Sequence, residues 1–203
     1  MTRSLLPFAL GLTLLLGSTA FAGEALDLSY ARRPGVDPAL TRLDVHYPDS
    51  GRDHPVLVYV HGGSWEVGDK TDMLRSATFL GYWQARGYVV VSINIRLWPL
   101  ASYADQCTDV AAAIGWVRAN VSRYRGSPSR LVLMGHSSGS HLVSLVGTDP
   151  AYLGGQGLKL TDLQAVISSD IMAYDVPRAI QTAVQLGSPQ AVDSLHRVIG
   201  TRM

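Results

Sequence analysis

Short, unbroken apolar runs alternate along this chain with stretches in which apolar residues recur every three or four positions. The runs at 55–60 (PVLVYV), 88–93 (YVVVSI) and 131–134 (LVLM) are rich in β-branched residues, the pattern of strands buried on both faces of a parallel sheet. QAVISS at 164–169 predicts a further strand. Between these runs, residues 71–86 and 105–119 read as helices. Gly87 stops the first, and the second carries Val110, Ala113, Ile114 and Val117 at helical spacing. A helix also continues through 141–146. Upstream, Leu43, Val45 and Tyr47 alternate with Asp44 and His46, which predicts a half-exposed strand ending at Pro48. Loops are expected around Gly126 and Pro128 and at 154–157. Strands alternating with helices imply the α/β class, with a doubly wound, mostly parallel sheet in one domain.

The first 22 residues obey a different rule. Arg3 supplies a positive start, residues 5–16 are apolar, and Ala20-Phe21-Ala22 is a small-x-small cleavage signal. That layout predicts a secretory signal peptide over 1–22, with the mature domain running from 23 to 203. Pro7, and an apolar run shorter than the roughly 18 residues of a membrane span, argue against a transmembrane helix. No cysteine follows the cleavage site to carry a lipid, so no stable membrane anchor is expected, and the protein is placed in the periplasm or secreted. Export permits disulfides, yet Cys107 is the one cysteine, so the core has to hold the fold unaided. With no histidine close by in sequence, Cys107 reads as a packed structural thiol. The composition, 47% apolar and 16% charged, suits a globular domain with a continuous core. Lys and Arg number 17 against 16 Asp and Glu, which leaves no basic surplus to track a phosphate backbone, so no nucleic-acid partner is expected.

The turns after two of the apolar runs carry chemistry. Gly135-His136-Ser137-Ser138-Gly139 joins the run at 131–134 to a helix, and that setting is what makes a G-x-S-x-G sequence specific. The glycines let the chain turn sharply, leaving Ser137 strained, with its hydroxyl pushed out at the carboxyl edge of the sheet. Ser137 is the candidate nucleophile. The helix start places the Ser138 N–H near the position where an oxyanion would form. His61-Gly62-Gly63-Ser64-Trp65 follows the run at 55–60, and its glycines permit close approach to a substrate carbonyl. Gly62, Gly63 and Ser64, with Ser138, are the candidate oxyanion hole, in which one donor is worth about 100- to 1,000-fold in rate.

With both turns in place, the chain resembles the esterase and lipase branch of the α/β-hydrolase superfamily, typified by hormone-sensitive-lipase-like carboxylesterases, the BD-FAE group and kynurenine formamidase. The likeness covers residues 43–175 and rests on PVLVYVHGGSWEVGDK, NIRL at 94–97, the DVAAAIGWV helix around Asp109, and LVLMGHSSGSHL. Two positions depart from the family pattern. Ser64 stands where an HGGG motif has its third glycine, as in the HGGxW variant, and Ile95 stands where a tyrosine commonly precedes the arginine. The resemblance implies hydrolysis of small-molecule carboxylic esters, or sometimes aryl amides, through an acyl-enzyme on Ser137, with no metal or organic cofactor. It also implies an acid and then a histidine after the nucleophile in chain order.

In a chain of 203 residues only 33 follow Asp170, and they read as amphipathic helix and loop without a further buried strand. The last strands of the fold are therefore expected to be missing, and the domain to be incomplete at its C-terminus. His196 is the one histidine well downstream of Ser137 and is the base candidate; a solvated helix histidine is the competing reading. Asp170, ending the run at 164–169, is the acid candidate, while Asp175 resembles the structural Tyr-Asp of the family. His61, His136 and His141 are expected to be structural. Trp65, Trp98 and Tyr103 either line an apolar acyl site or belong to the core. Three readings stay open: an active ester hydrolase, a catalytically inactive remnant that binds ligand, and an acyltransferase, peptidase or arylformamidase on the same fold.

Overall fold

The computed structural model describes residues 21–72, 77–169 and 175–199. Its sheet has six strands: β1 (Phe21–Ser29), β2 (Arg42–Pro48), β3 (His54–Val60), β4 (Val89–Ile93), β5 (Gly126–His136) and β6 (Leu163–Ser169). They lie in the order β1-β2-β4-β3-β5-β6. The four strands from β3 to β6 are mutually parallel, while β2 runs antiparallel to both β1 and β4. The helices are α1 (Ala77–Gln84), α2 (Tyr103–Asn120), α3 (Ser138–Thr148), α4 (Pro150–Gly154), α5 (Val176–Gln185) and α6 (Pro189–Ile199).

Side chains alternate across a strand, and here each face meets its own helices. Val56, Val58 and Val60 of β3 join Leu131 and Leu133 of β5 and, from α2 and α3, Val110, Ile114, Val117, Leu142, Val143 and Val146. On the other face, Leu57, Val90 and Val132 meet Phe79, Leu80 and Trp83 of α1. Helices on both faces make the sheet doubly wound, as the sequence implies. The start of α2 is fixed by a reciprocal cap in which Ser102 Oγ accepts from the Asp105 N–H at 3.2 Å and the Asp105 carboxylate accepts from the Ser102 N–H at 3.0 Å.

Register decides where the functional loops emerge. Val60 of β3 lies opposite Ile93 of β4 and Gly135 of β5, so these three strands end together. The segments that begin at His61, Asn94 and Ser137 consequently leave the same carboxyl edge, where open α/β sheets bind ligands.

Four expectations need correction. The strand around 43–47 is not half exposed: Leu43, Asp44, Val45 and His46 are all buried, because β1 and β4 cover both of its edges and Asp44 has a buried cationic partner. β1 carries no clear alternation because its pairing with β2 is broken by register shifts, with Asp27 at φ 57°. The loop expected near Gly126 and Pro128 is instead the start of β5. The helix expected over 71–86 occupies Ala77–Gln84; Asp69 to Asp72 form a turn closed by the Asp72 N–H on the Asp69 carbonyl at 3.0 Å.

Candidate active site

Ser137 sits between β5 and α3 with φ 52° and ψ −122°, a left-handed conformation that costs a non-glycine residue about 1–3 kcal/mol. The surroundings impose it. A Cβ on Gly139 would lie 2.4 Å from the His61 carbonyl oxygen and 2.5 Å from that of Val60, and one on Gly135 would lie 2.3 Å from the Gly139 carbonyl oxygen. Only glycine lets α3 start this close to the sheet. The turn is stapled to β6: the Ser137 N–H donates to the Ser169 carbonyl at 3.0 Å, and the buried Ser140 hydroxyl lies 2.6 Å from the Gly135 carbonyl oxygen while accepting from the Ser169 N–H at 2.9 Å.

The loop after β3 lies directly against this serine. A Cβ on Gly62 would come within 2.9 Å of Ser137 Cβ. The N–H groups of Glu66 and Val67 both donate to the Gly63 carbonyl at 3.0 Å, closing a turn that uses neither the Gly63 nor the Ser64 N–H. Ser138 is the first helical residue of α3, a position whose N–H has no acceptor within the helix. The four candidate oxyanion residues are thus gathered around Ser137 as expected. An open cleft of about 390 Å³ runs past them, lined by Ser137, Gly62, Gly63, Ser64, Tyr59 and His61, among others.

Buried polar contacts hold the loop at both ends. Trp65 is buried, and its carbonyl accepts from the Gln106 side chain and from the Trp98 N–H, both at 2.9 Å. At the far end the Lys70 N–H donates to Asn94 Oδ1 at 2.6 Å, and Lys70 Nζ reaches Asp44 at 2.6 Å and Asp27 at 3.2 Å. Burial alone would lower the Lys70 pKa, but its bonds to Asp44 and Asp27 outweigh this and hold it above the usual lysine value. Asn94 also donates to Asp69 at 3.0 Å. Burial raises the Asp69 carboxyl, and the bonds from Asn94 and Thr71 more than reverse that, leaving it below its ordinary range. In the NIRL segment, Arg96 grips fully buried Asp109 with Nε at 2.8 Å and an Nη at 3.0 Å, and Arg33 joins at 2.7 Å, tying the loop after β4 to α2. Sequence reasoning did not single out Lys70, Asp44, Asn94 or Arg96. The Gly-Asp-Lys after the oxyanion loop was the available signal.

Among the described residues no histidine lies within hydrogen-bonding distance of the Ser137 hydroxyl. His61 Nδ1 is 2.7 Å from the Gly62 carbonyl oxygen. His141, one turn along α3, is buried with its ring between Trp65 and Tyr103, and burial lowers its pKa. These two are structural, as expected. His136 lines the cleft beside Ser137. His196 is on α6, a helix brought to the oxyanion loop by Arg197, whose guanidinium meets Glu66 at 3.0 Å, and by Ser194, 3.3 Å from Glu66 and 3.4 Å from the Ser64 carbonyl. Nothing local marks Glu66 in the sequence; its contacts come from about 130 residues away. Asp170 lies outside the described residues. Asp175 caps α5, accepting from the Arg178 N–H at 3.1 Å.

The aromatic residues divide in favour of the core: Trp65 is buried, Trp98 and Tyr103 pack against the main cluster, and none lines the cleft at Ser137. Cys107 is fully buried and burial pushes its thiol up to about 12, the inert thiol expected. Among the described residues no helix is long and apolar enough to cross a membrane.

The family model BD-FAE matches residues 43–167, well over half of the chain. Among curated proteins, the chain is similar to esterase LipQ of Mycobacterium tuberculosis, 33% identical over 71% of this chain and 34% of LipQ. It is also similar to the probable carboxylic ester hydrolase LipM of the same organism, 32% identical over 63% of this chain and 26% of LipM. The chain therefore spans about a quarter to a third of the length of these relatives. Among solved structures, esterase B from Lactobacillus rhamnosis superposes with a TM-score of 0.70 over 89% of this chain and 57% of its own; at 24% identity that likeness speaks to the fold.

Proposed function

Since this chain belongs to the BD-FAE family of α/β-hydrolases, we propose that it carries the nucleophile and oxyanion hole of a serine hydrolase acting on small-molecule carboxylic esters. The observation that carries this reading is the strained Ser137 at the sheet's carboxyl edge with Gly62 pressed against it. Ser137 Oγ adds to the ester carbonyl carbon, and the N–H groups of Gly63, Ser64 and Ser138 hold the oxyanion that forms. A histidine takes the serine proton and returns it to the departing alcohol, leaving an acyl-serine that water then cleaves by the same route. His196 is the base this chain offers, supported by the docking of α6 on the oxyanion loop, with Asp170 as its acid. None of these steps calls on a metal or organic cofactor.

A second reading is favoured by one observation, the lack of a histidine bonded to Ser137 among the described residues: the chain keeps the pocket but binds ligand without turnover. A fluorophosphonate probe and p-nitrophenyl butyrate separate the two. The hydrolase reading expects covalent label on Ser137 and ester turnover, both lost in Ser137→Ala. Folded protein that takes no label and releases no nitrophenol refutes it. The same kinetics in His196→Gln test the base, which predicts a fall of about 100- to 10,000-fold. The three-part pattern of residues 1–22 supports export, and mass spectrometry of protein recovered outside the cytoplasm should find Gly23 as the first residue.

A further inference from the structure

Two polar atoms in the wall of the Ser137 cleft are buried without a partner. Tyr59 is 1% exposed and its hydroxyl meets no donor or acceptor; His61 is 3% exposed and its Nε2 is equally alone. Both residues line the cleft that Ser137 opens into. Buried polar atoms are nearly always satisfied, so two orphans in one cavity wall need a reason.

Their chemistry is complementary. His61 Nδ1 lies 2.7 Å from the Gly62 carbonyl oxygen, which can only accept, so Nδ1 carries the ring proton and Nε2 of the neutral ring offers a lone pair. Burial pushes the Tyr59 phenol far above its ordinary value, and the Asp72 carboxylate adds to this, so Tyr59 remains an O–H donor. Its ring is held by Phe79, with centroids 5.1 Å apart. A donor and an acceptor in one wall match a group that does both. A carbonyl would satisfy Tyr59 alone and an ammonium His61 alone, whereas an alcohol hydroxyl satisfies both. Asp72 lines the same cleft as a further acceptor.

Resting on the ester-hydrolase reading of Ser137, we propose that Tyr59 and His61 form a hydroxyl-recognising subsite beside the nucleophile, selecting esters with a free hydroxyl close to the scissile bond. That hydroxyl sits on the acyl chain or on the alcohol, and two pairs of esters distinguish them. Ethyl 3-hydroxybutyrate against ethyl butyrate tests the acyl side, and 2-hydroxyethyl butyrate against propyl butyrate the alcohol side.

Calorimetric binding to the Ser137→Ala protein should favour the hydroxylated member of one pair by about tenfold or more, the effect of one or two hydrogen bonds. The preference should collapse towards unity when Tyr59→Phe is added and persist with Tyr82→Phe, an exposed tyrosine on α1. Because Tyr59→Phe keeps the ring and removes an unpaired hydroxyl, its melting temperature should match or exceed that of Ser137→Ala alone. Equal binding of both members in both pairs overturns the subsite, leaving water as the cleft's only occupant, and so does a preference that survives Tyr59→Phe. With Ser137 restored, hydrolysis without preference also refutes the subsite. Preferential binding without hydrolysis of any of the four esters supports the subsite and refutes the hydrolase reading instead.

Discussion

Replacing Lys70 with methionine removes the cation that closes the far end of the oxyanion loop. Lys70 is 7% exposed and Asp44 2% exposed, with 2.6 Å between ammonium and carboxylate, so this is a buried pair. In Lys70→Met the Asp44 carboxylate keeps only the Asp27 N–H at 2.7 Å. Breaking a buried pair from one side costs about 3–5 kcal/mol, since the remaining charge is stranded. For a protein of this size that corresponds to a fall of about 6–20 °C in melting temperature. The stranded carboxyl should titrate above its unfolded value of about 3.9. A group raised in the fold loses its proton first in the unfolded chain, so the defect grows as pH rises above about 4 and shrinks on acidification. Urea unfolding of both proteins at pH 7 and pH 5 measures this, and the difference between them should be smaller at pH 5. Adding Asp44→Asn should recover a large part of the loss, because no charge is then left uncompensated. A cost below about 1 kcal/mol, or no recovery in the double variant, would refute the buried-pair reasoning.

Three further outcomes are expected. Gly139→Ala places a methyl within 2.5 Å of two backbone carbonyl oxygens that cannot move aside, so it should cost about 3 kcal/mol or more and abolish fluorophosphonate labelling; calorimetry and a gel readout check it. Cys107, pushed up to about 12, should resist iodoacetamide in the native protein at pH 8 and react fully in urea, as intact-mass spectrometry would show. Burial lowers the pKa of His141, and that of His46 against the opposing pull of Glu24 and Asp44. The unfolded chain then takes up protons that the fold refuses, so stability should be full above the ordinary histidine value of about 6.5 and fall as pH drops through it. Urea midpoints at pH 7.5 and 5.5 measure the slope, which His141→Phe should flatten.

What the sequence makes legible follows from the range of the interactions. The runs 55–60, 88–93 and 131–134 fall in β3, β4 and β5 because a strand covered on both faces has to be apolar throughout, which is a local property. The elbow is local too: the strain at Ser137 is enforced by glycines two residues to either side, so five consecutive residues carry the signal. β2 reads as half exposed because Asp44 and His46 look like solvent-facing positions, and only the fold brings Lys70 across 26 residues to neutralise Asp44. β1 escapes notice because its bulged pairing erases the period of two.

The same distinction explains why the nucleophile is clear and its base is not. A serine elbow is specified by its own turn, whereas a general base is defined by a contact between distant segments. Chain order can nominate His196, but only docking can put it in place. The structure supplies one half of that docking, through Glu66 on the oxyanion loop to Ser194 and Arg197 of α6. A half-exposed ion pair such as Arg197 with Glu66 is worth about 0–1 kcal/mol, so the contribution of α6 to stability is small. Its effect on the site is positional, because Glu66 and Ser64 belong to the turn whose N–H groups would face the oxyanion. Any substrate that reaches Ser137 passes a wall built partly by Tyr59 and His61, on the strand that leads into that turn. Recognition and oxyanion stabilisation are therefore carried by one continuous segment from β3 to Lys70, and its buried clamp of Asp44, Asn94 and Lys70 fixes both at once.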